Sequence, residues 1–168
     1  MMKMVVMLGN PGIQYKNTRH NAGFMFCSSV LPEAGWQTKF SGSFIKTGNT
    51  VFLRPMTFMN ESGVSVRKAA DFFNVDSCNI LVVHDDIEQE ACSVKLQRGG
   101  GMAGHNGLRS VKQHLGTDDF YRLRIGVGRP AHGDVASYVL DRFTELEQKM
   151  LEDTFAKASD LMNVWIRG

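Results

Sequence analysis

Five short apolar or β-rich runs, Met4–Leu8, Val51–Leu53, Ile80–Val83, Val94–Leu96 and Leu123–Val127, punctuate this chain. Gly, Pro, Asn or Asp bounds each one, which is the signature of strands cut off by turns. Phe44–Lys46 pairs naturally with Val51–Arg54 through Gly48-Asn49 as an edge hairpin. Between the runs, His20–Leu31 and Val64–Phe73 repeat apolar residues every three or four positions, and Asn106–Leu115 does so over a shorter span. The last element is opened by a capping box, Thr144 with Glu147. Its apolar stripe is Leu146, Met150, Leu151, Phe155, Ala158, Leu161, Met162 and Trp165. Strands alternating with helices predict an α/β domain: a mixed, mostly parallel twisted sheet with helices on both faces. At 168 residues, with no repeat, low-complexity tract or linker, residues 1–168 are expected to form one domain.

Other classes fall away quickly. Cys27, Cys78 and Cys92 are odd in number and lack CxxC spacing, which argues against a disulfide framework and suits a reducing compartment. The apolar core of MMKMVVML is too short for a signal peptide, and no stretch reaches membrane-spanning length, so a cytoplasmic protein is expected. No spare apolar helix or heptad demands a protein partner, and a monomer is expected. Charge is unevenly spread. Residues 92–129 hold seven basic side chains against Asp118 and Asp119, whereas residues 133–168 hold seven acidic against four basic. Such asymmetry fits a polyanion-binding face, although an unevenly solvated surface gives the same count.

Polar residues cluster where strand runs end. Asn10 follows the first and Asp85 the third, while Asn60 and Asn106 come a loop later than the second and fourth. If those strands are parallel, all four meet at the carboxyl edge, where open α/β sheets bind ligands. Each is also a common cap or turn former. Residues 99–104 hold a formal GxGxxG, but Asp118 and Asp119 precede the next strand instead of ending it, so an anion- or substrate-approaching loop is the better reading. His84-Asp85-Asp86 with His20 and His105 raises a metal, yet no HExxH or comparable ligand pair is present. There is no GxSxG elbow for a protein nucleophile. His20 lies at a helix start, where the dipole favours neutral imidazole, and Asp85 is the best-placed carboxylate to orient it. A His–Asp pair with no nucleophile points to water attacking an activated bond such as an ester, without metal or other cofactor.

The chain resembles the bacterial-type peptidyl-tRNA hydrolases. LGNPG-x-x-Y-x-x-TRHN-x-G stands at 8–23, P-x-TFMN-x-SG at 55–63 and HDD at 84–86. GGG-x-x-GHNGL follows at 99–108 and RLR-x-G-x-GRP at 122–130. The resemblance implies hydrolysis of the ester joining a peptide to the 3′-terminal ribose of tRNA, with peptidyl-tRNA as the partner. It implies His20 as the base activating water and Asp85 as the group holding its ring. Asn10, Asn60 and Asn106 would grip peptide and terminal nucleotide, and Tyr15 would stand at the rim. Arg124, with Lys95 and Arg98 nearby, would meet tRNA phosphate. Gln97 departs from the family, many of whose members carry a lysine there that reads the 5′-phosphate. The rival reading is a non-enzymatic RNA-binding relative of the same fold, akin to organelle splicing factors.

Overall fold

The computed structural model describes residues Met1–Gly168. Seven strands build one sheet: β1 (Lys3–Met7), β2 (Gln37–Lys39), β3 (Gly42–Thr47), β4 (Thr50–Pro55), β5 (Ile80–Asp86), β6 (Val94–Arg98) and β7 (Tyr121–Gly126). Their order is β2-β3-β4-β1-β5-β7-β6. The four central strands, β4, β1, β5 and β7, are parallel, while β2, β3 and β6 add antiparallel edges. The single-domain α/β architecture expected above is thus present, with the hairpin turning at Gly48-Asn49.

The helices are α1 (Ala22–Val30), α2 (Ser62–Phe73), α3 (Asn106–Leu115), α4 (Val135–Val139) and α5 (Glu145–Arg167). Side chains alternate across β1, so the two faces carry separate cores. Met4, Val6 and Leu8 pack with Val66 of α2 and Leu108 of α3. Val5 and Met7 pack with Phe26 of α1 and with Phe155, Ala158 and Met162 of α5. Thr144 and Glu147 form the expected capping box on α5.

Two expectations need correction. Leu146 and Met150 are 71% and 46% exposed, so they lie off the buried stripe. At about 100° per residue, Met150 sits about 100° and Leu146 about 140° around the helix from Leu151. The helix expected from His20 starts two residues later. Arg19–Asn21 form a separate 3₁₀ turn, and α1 follows from Ala22. Strand β2 and helix α4, too short to show a period, are further elements.

The parallel centre positions the site. The chain leaves β1, reaches β4 on one side, then crosses to β5 on the other. The carboxyl end of β1 is therefore the switch point at which such sheets open a crevice. All seven residues of β5 are buried, including His84, Asp85 and Asp86 at its end. Burying that much polarity is tolerable only where every charge finds partners.

Candidate active site

Asp85 is the hub. Its carboxylate, 2% exposed, accepts from His20 Nδ1 at 3.0 Å on both oxygens. Its Oδ1 also accepts from His105 Nε2 at 2.8 Å. The tautomers follow from the remaining contacts. His105 Nδ1 accepts from the backbone N–H groups of Gly107 and Leu108, capping α3. Its proton therefore sits on Nε2, facing Asp85. His20 spends its Nδ1–H on the carboxylate, and its Nε2 carries no hydrogen bond. That free nitrogen belongs to a residue lining a cavity of about 630 Å³, together with Asp85, His105, Asn106, Met102 and Val139.

Electrostatics sharpen this arrangement. Burial favours neutral imidazole at His20, but the charge and hydrogen bond of Asp85 outweigh it and raise the pKa. The expectation that a helix dipole keeps His20 neutral is thus replaced. The residue lies in the 3₁₀ turn ahead of α1, and the carboxylate dominates. Burial also favours the neutral acid at Asp85, yet His20 and His105 hold its carboxyl well below the usual carboxylate range. Burial and the neighbouring His105 push His84 down to about 3. Neutral His84 donates Nδ1–H to the Asp85 carbonyl at 2.8 Å.

The ligand atoms of His20, Asp85 and His105 lie within 4.8 Å of one another. Their hydrogen bonds nevertheless do not suit a metal. Both imidazoles present N–H groups to the carboxylate, and the second nitrogen of His105 is occupied by the α3 backbone. A cation would have to displace those protons and uncap a helix.

Met59 brings the asparagines into one neighbourhood. Asn10 Oδ1 accepts from Met59 N–H at 2.7 Å, docking the turn that carries Asn60 onto the end of β1. Asn21 closes a two-bond clasp on the Asn10 backbone. Gly107, next to Asn106, approaches so closely that a Cβ there would meet Met59 Sδ at 2.6 Å. Asn60 and Asn106 are exposed, whereas Asn10 is buried and keeps only its Nδ2 donors free. Tyr15 is half-buried and packs edge-on to Phe58, 6.4 Å between centroids. Asn106 lines the His20 cavity and Asn10 a neighbouring cleft; Tyr15 and Asn60 line neither.

Asn106 arrives by an unexpected route. Strand β6 runs antiparallel to β7, so its carboxyl end lies at the opposite edge of the sheet. The glycine-rich segment after it returns the chain to the site. Buried Arg122 braces that segment, donating to the Gly100 carbonyl at 2.8 Å and to that of Gly101.

The basic residues differ in how free they are. Arg124 donates Nε–H to Asp86 and Nη1–H to Gln97, both at 2.6 Å. Arg98 forms a two-bond, exposed pair with Asp119. Lys95, opposite Arg124 across the β6–β7 ladder, is exposed and has no ion pair.

Two contributions escape a sequence reading. His105 stands out in the chain only as a possible metal ligand, not as a second donor to Asp85. Arg19 is 5% exposed, donates to Glu147 and to the Tyr138 carbonyl, both at 3.0 Å, and lies 3.9 Å from the Tyr138 ring centroid. It thereby ties the His20 turn to α4 and α5.

An α/β fold with a carboxylate-held histidine near its switch point is the arrangement a hydrolase with a histidine base requires. Comparison with known proteins narrows it. Residues 4–168 match the peptidyl-tRNA hydrolase family model. A peptidyl-tRNA hydrolase of Oceanobacillus iheyensis is 39% identical over 175 residues, covering 99% of this chain and 94% of that protein. One from Sulfurovum sp. is 46% identical over 156 residues, covering 90% and 82%. The crystal structure of the Acinetobacter baumannii peptidyl-tRNA hydrolase superposes with a TM-score of 0.84 at 34% identity, covering 99% of this chain and 91% of that one. The chain belongs to the peptidyl-tRNA hydrolase family.

Proposed function

We propose that this protein hydrolyses the ester between a peptide and the 3′-terminal ribose of tRNA, with His20 as the base. The observation that carries the mechanism is the unbonded Nε2 of His20, whose Nδ1–H is fixed on Asp85. Water gives its proton to Nε2 as its oxygen bonds to the ester carbonyl carbon. The imidazolium so formed faces the buried Asp85 carboxylate, which stabilises it without moving. When the carbon–oxygen bond to ribose breaks, that proton passes to the leaving oxygen. The products are free tRNA and a peptide carboxylic acid, which releases water's second proton to solvent and leaves as the carboxylate. Asn10, Asn60 and Asn106 supply amide donors to the oxyanion and the peptide backbone, and these groups do not titrate. Tyr15 stands at the rim, while Lys95, Arg98 and Arg124 face tRNA phosphate.

No helix is long and apolar enough to cross a membrane. The setting proposed with this reaction is the cytoplasm, where the protein acts as a monomer on translation substrates. The test is incubation of the pure protein with N-acetylaminoacyl-tRNA, with and without EDTA, beside His20→Ala. The expected result is chelator-resistant cleavage that falls about 10²-fold or more in the variant. Full activity of His20→Ala overturns the mechanism. Tight tRNA binding without turnover favours the RNA-binding rival.

A further inference from the structure

On the other side of the turn that carries His20 lies a second cleft, about 700 Å³ in volume. Asn10 and Asn21 form one wall, and the turn from Pro11 to Asn17, α1, the end of β4 and Phe155 of α5 form the rest. Its charged lining residues are Lys16 and Arg54, and no carboxylate faces them. Arg54 is the unusual one. Its Nε is fully buried and bonds no protein group, and its guanidinium lies 4.0 Å from the centroid of the Trp36 ring. Arg19 and Arg122 also have an unbonded Nε, but they and Arg124 each donate other guanidinium N–H groups to protein acceptors, which Arg54 does not. The terminal nitrogens of Arg54, on a half-buried side chain with no protein partner, can give a planar anion two parallel hydrogen bonds. Apolar Phe24, Met25 and Met56 line it beside the neutral polar side chains Asn17, Ser28 and Ser29, which suits a carboxylate carried on a peptide.

We infer that this cleft is a carboxylate subsite, in which Arg54 and Lys16 take an Asp or Glu side chain from the peptide part of the substrate. The inference rests on the peptidyl-tRNA reading for its substrate. With the ester at His20, residues upstream of it lie along Asn10 and enter the cleft from that wall. Trp36 covers one face of the guanidinium, strengthening its pairing with an acid.

Trp36 also reports binding. Its fluorescence, corrected with Trp36→Phe, is titrated with N-acetyl-Glu-Gly-amide, N-acetyl-Gln-Gly-amide and inorganic phosphate. The acidic peptide should give a saturable change, at least about 10-fold tighter than the neutral one, and Arg54→Gln should remove that difference. Equal responses to the two peptides overturn the subsite, and a response to phosphate alone reassigns it to a nucleotide. Kinetics provide the second arm. The kcat/KM ratio of N-acetyl-Glu-Phe-tRNA to N-acetyl-Gln-Phe-tRNA should be about 10, should collapse toward 1 in Arg54→Gln and should survive in part in Arg54→Lys. A ratio of 1 in the native protein overturns the proposal. Inactivity toward both tRNAs fails the hydrolase reading alone, because the peptide titration reads the cleft without turnover.

Discussion

His105 and His20 share one acceptor: Asp85 Oδ1 takes the Nε2–H of the first at 2.8 Å and the Nδ1–H of the second at 3.0 Å. The two donors compete for the same negative charge. Removing the His105 donor should concentrate that charge on His20, raise its pKa further and move the acid limb of the pH–rate profile upward. His105→Asn makes the test clean, since asparagine still caps α3. The variant should lose about 1.5–3 kcal/mol of stability, the range for a hydrogen bond to a charged group. Urea unfolding and kcat/KM against pH check both parts; a limb that stays put or falls contradicts the competition.

Asp85→Asn should move the limb the other way. In the native protein the pKa of His20 lies above 6.5, and only the neutral ring accepts a proton. Activity should therefore rise with pH through a midpoint above 6.5. Without the carboxylate, burial alone acts on His20 and the midpoint should drop below 6.5, with kcat reduced about 10²-fold or more. Stability follows the opposite sign. The His20–Asp85 contribution is complete below the unfolded pKa of His20 and disappears as pH rises through the folded one. Thermal melting across that window should show the native protein and Asp85→Asn drawing closer in stability as pH rises.

Much of this is legible in the chain itself. The apolar runs of β1 and β5 give away the central strands, and Asn10 and Asp85 at their ends give away the carboxyl edge. The contact between His20 and Asp85 depends on strand order, a property of the intervening chain that periodicity does not encode. His105 is harder still. Its part rests on which nitrogen carries the proton, and that is decided by two backbone N–H groups of α3. Asn106 reaches the expected edge even though β6 does not run parallel to its neighbour. The stretch that brings it back passes through Gly100 and Gly101, held by Arg122.

Two glycines that look alike in sequence should differ on substitution. A Cβ at Gly23 would meet the carbonyl oxygens of Leu8 at 2.5 Å and Val83 at 2.7 Å, where α1 rests directly on the ends of β1 and β5. Backbone in the sheet centre cannot yield, so Gly23→Ala should cost about 3 kcal/mol or more. At Gly107 the nearest atom is the sulfur of Met59, at the end of a flexible side chain. Gly107→Ala should cost about 1–2 kcal/mol, with a larger effect on activity because Met59 holds the Asn10 and Asn60 turns together. Equal losses of stability in the two variants would contradict this reading of the contacts.

Arg124 and Lys95 face each other across the β6–β7 ladder but should respond differently to loss of charge. Arg124 is tied to Asp86, whose carboxylate is almost wholly buried. Arg124→Ala strands that carboxylate, and breaking such a pair costs about 3–5 kcal/mol when fully buried; the partial exposure of Arg124 puts the expected loss at the lower end. Lys95 has no partner to strand, so Lys95→Ala should leave stability within about 0.5 kcal/mol. Its effect should appear in tRNA affinity, with the slope of log K against log salt shallower by about 1, the share of a single phosphate neighbour. Binding titrations at several salt concentrations, run beside urea melts, separate the two roles. An unchanged slope in Lys95→Ala would remove that lysine from the tRNA-binding face, and an undiminished melt in Arg124→Ala would show the Asp86 pair to be dispensable.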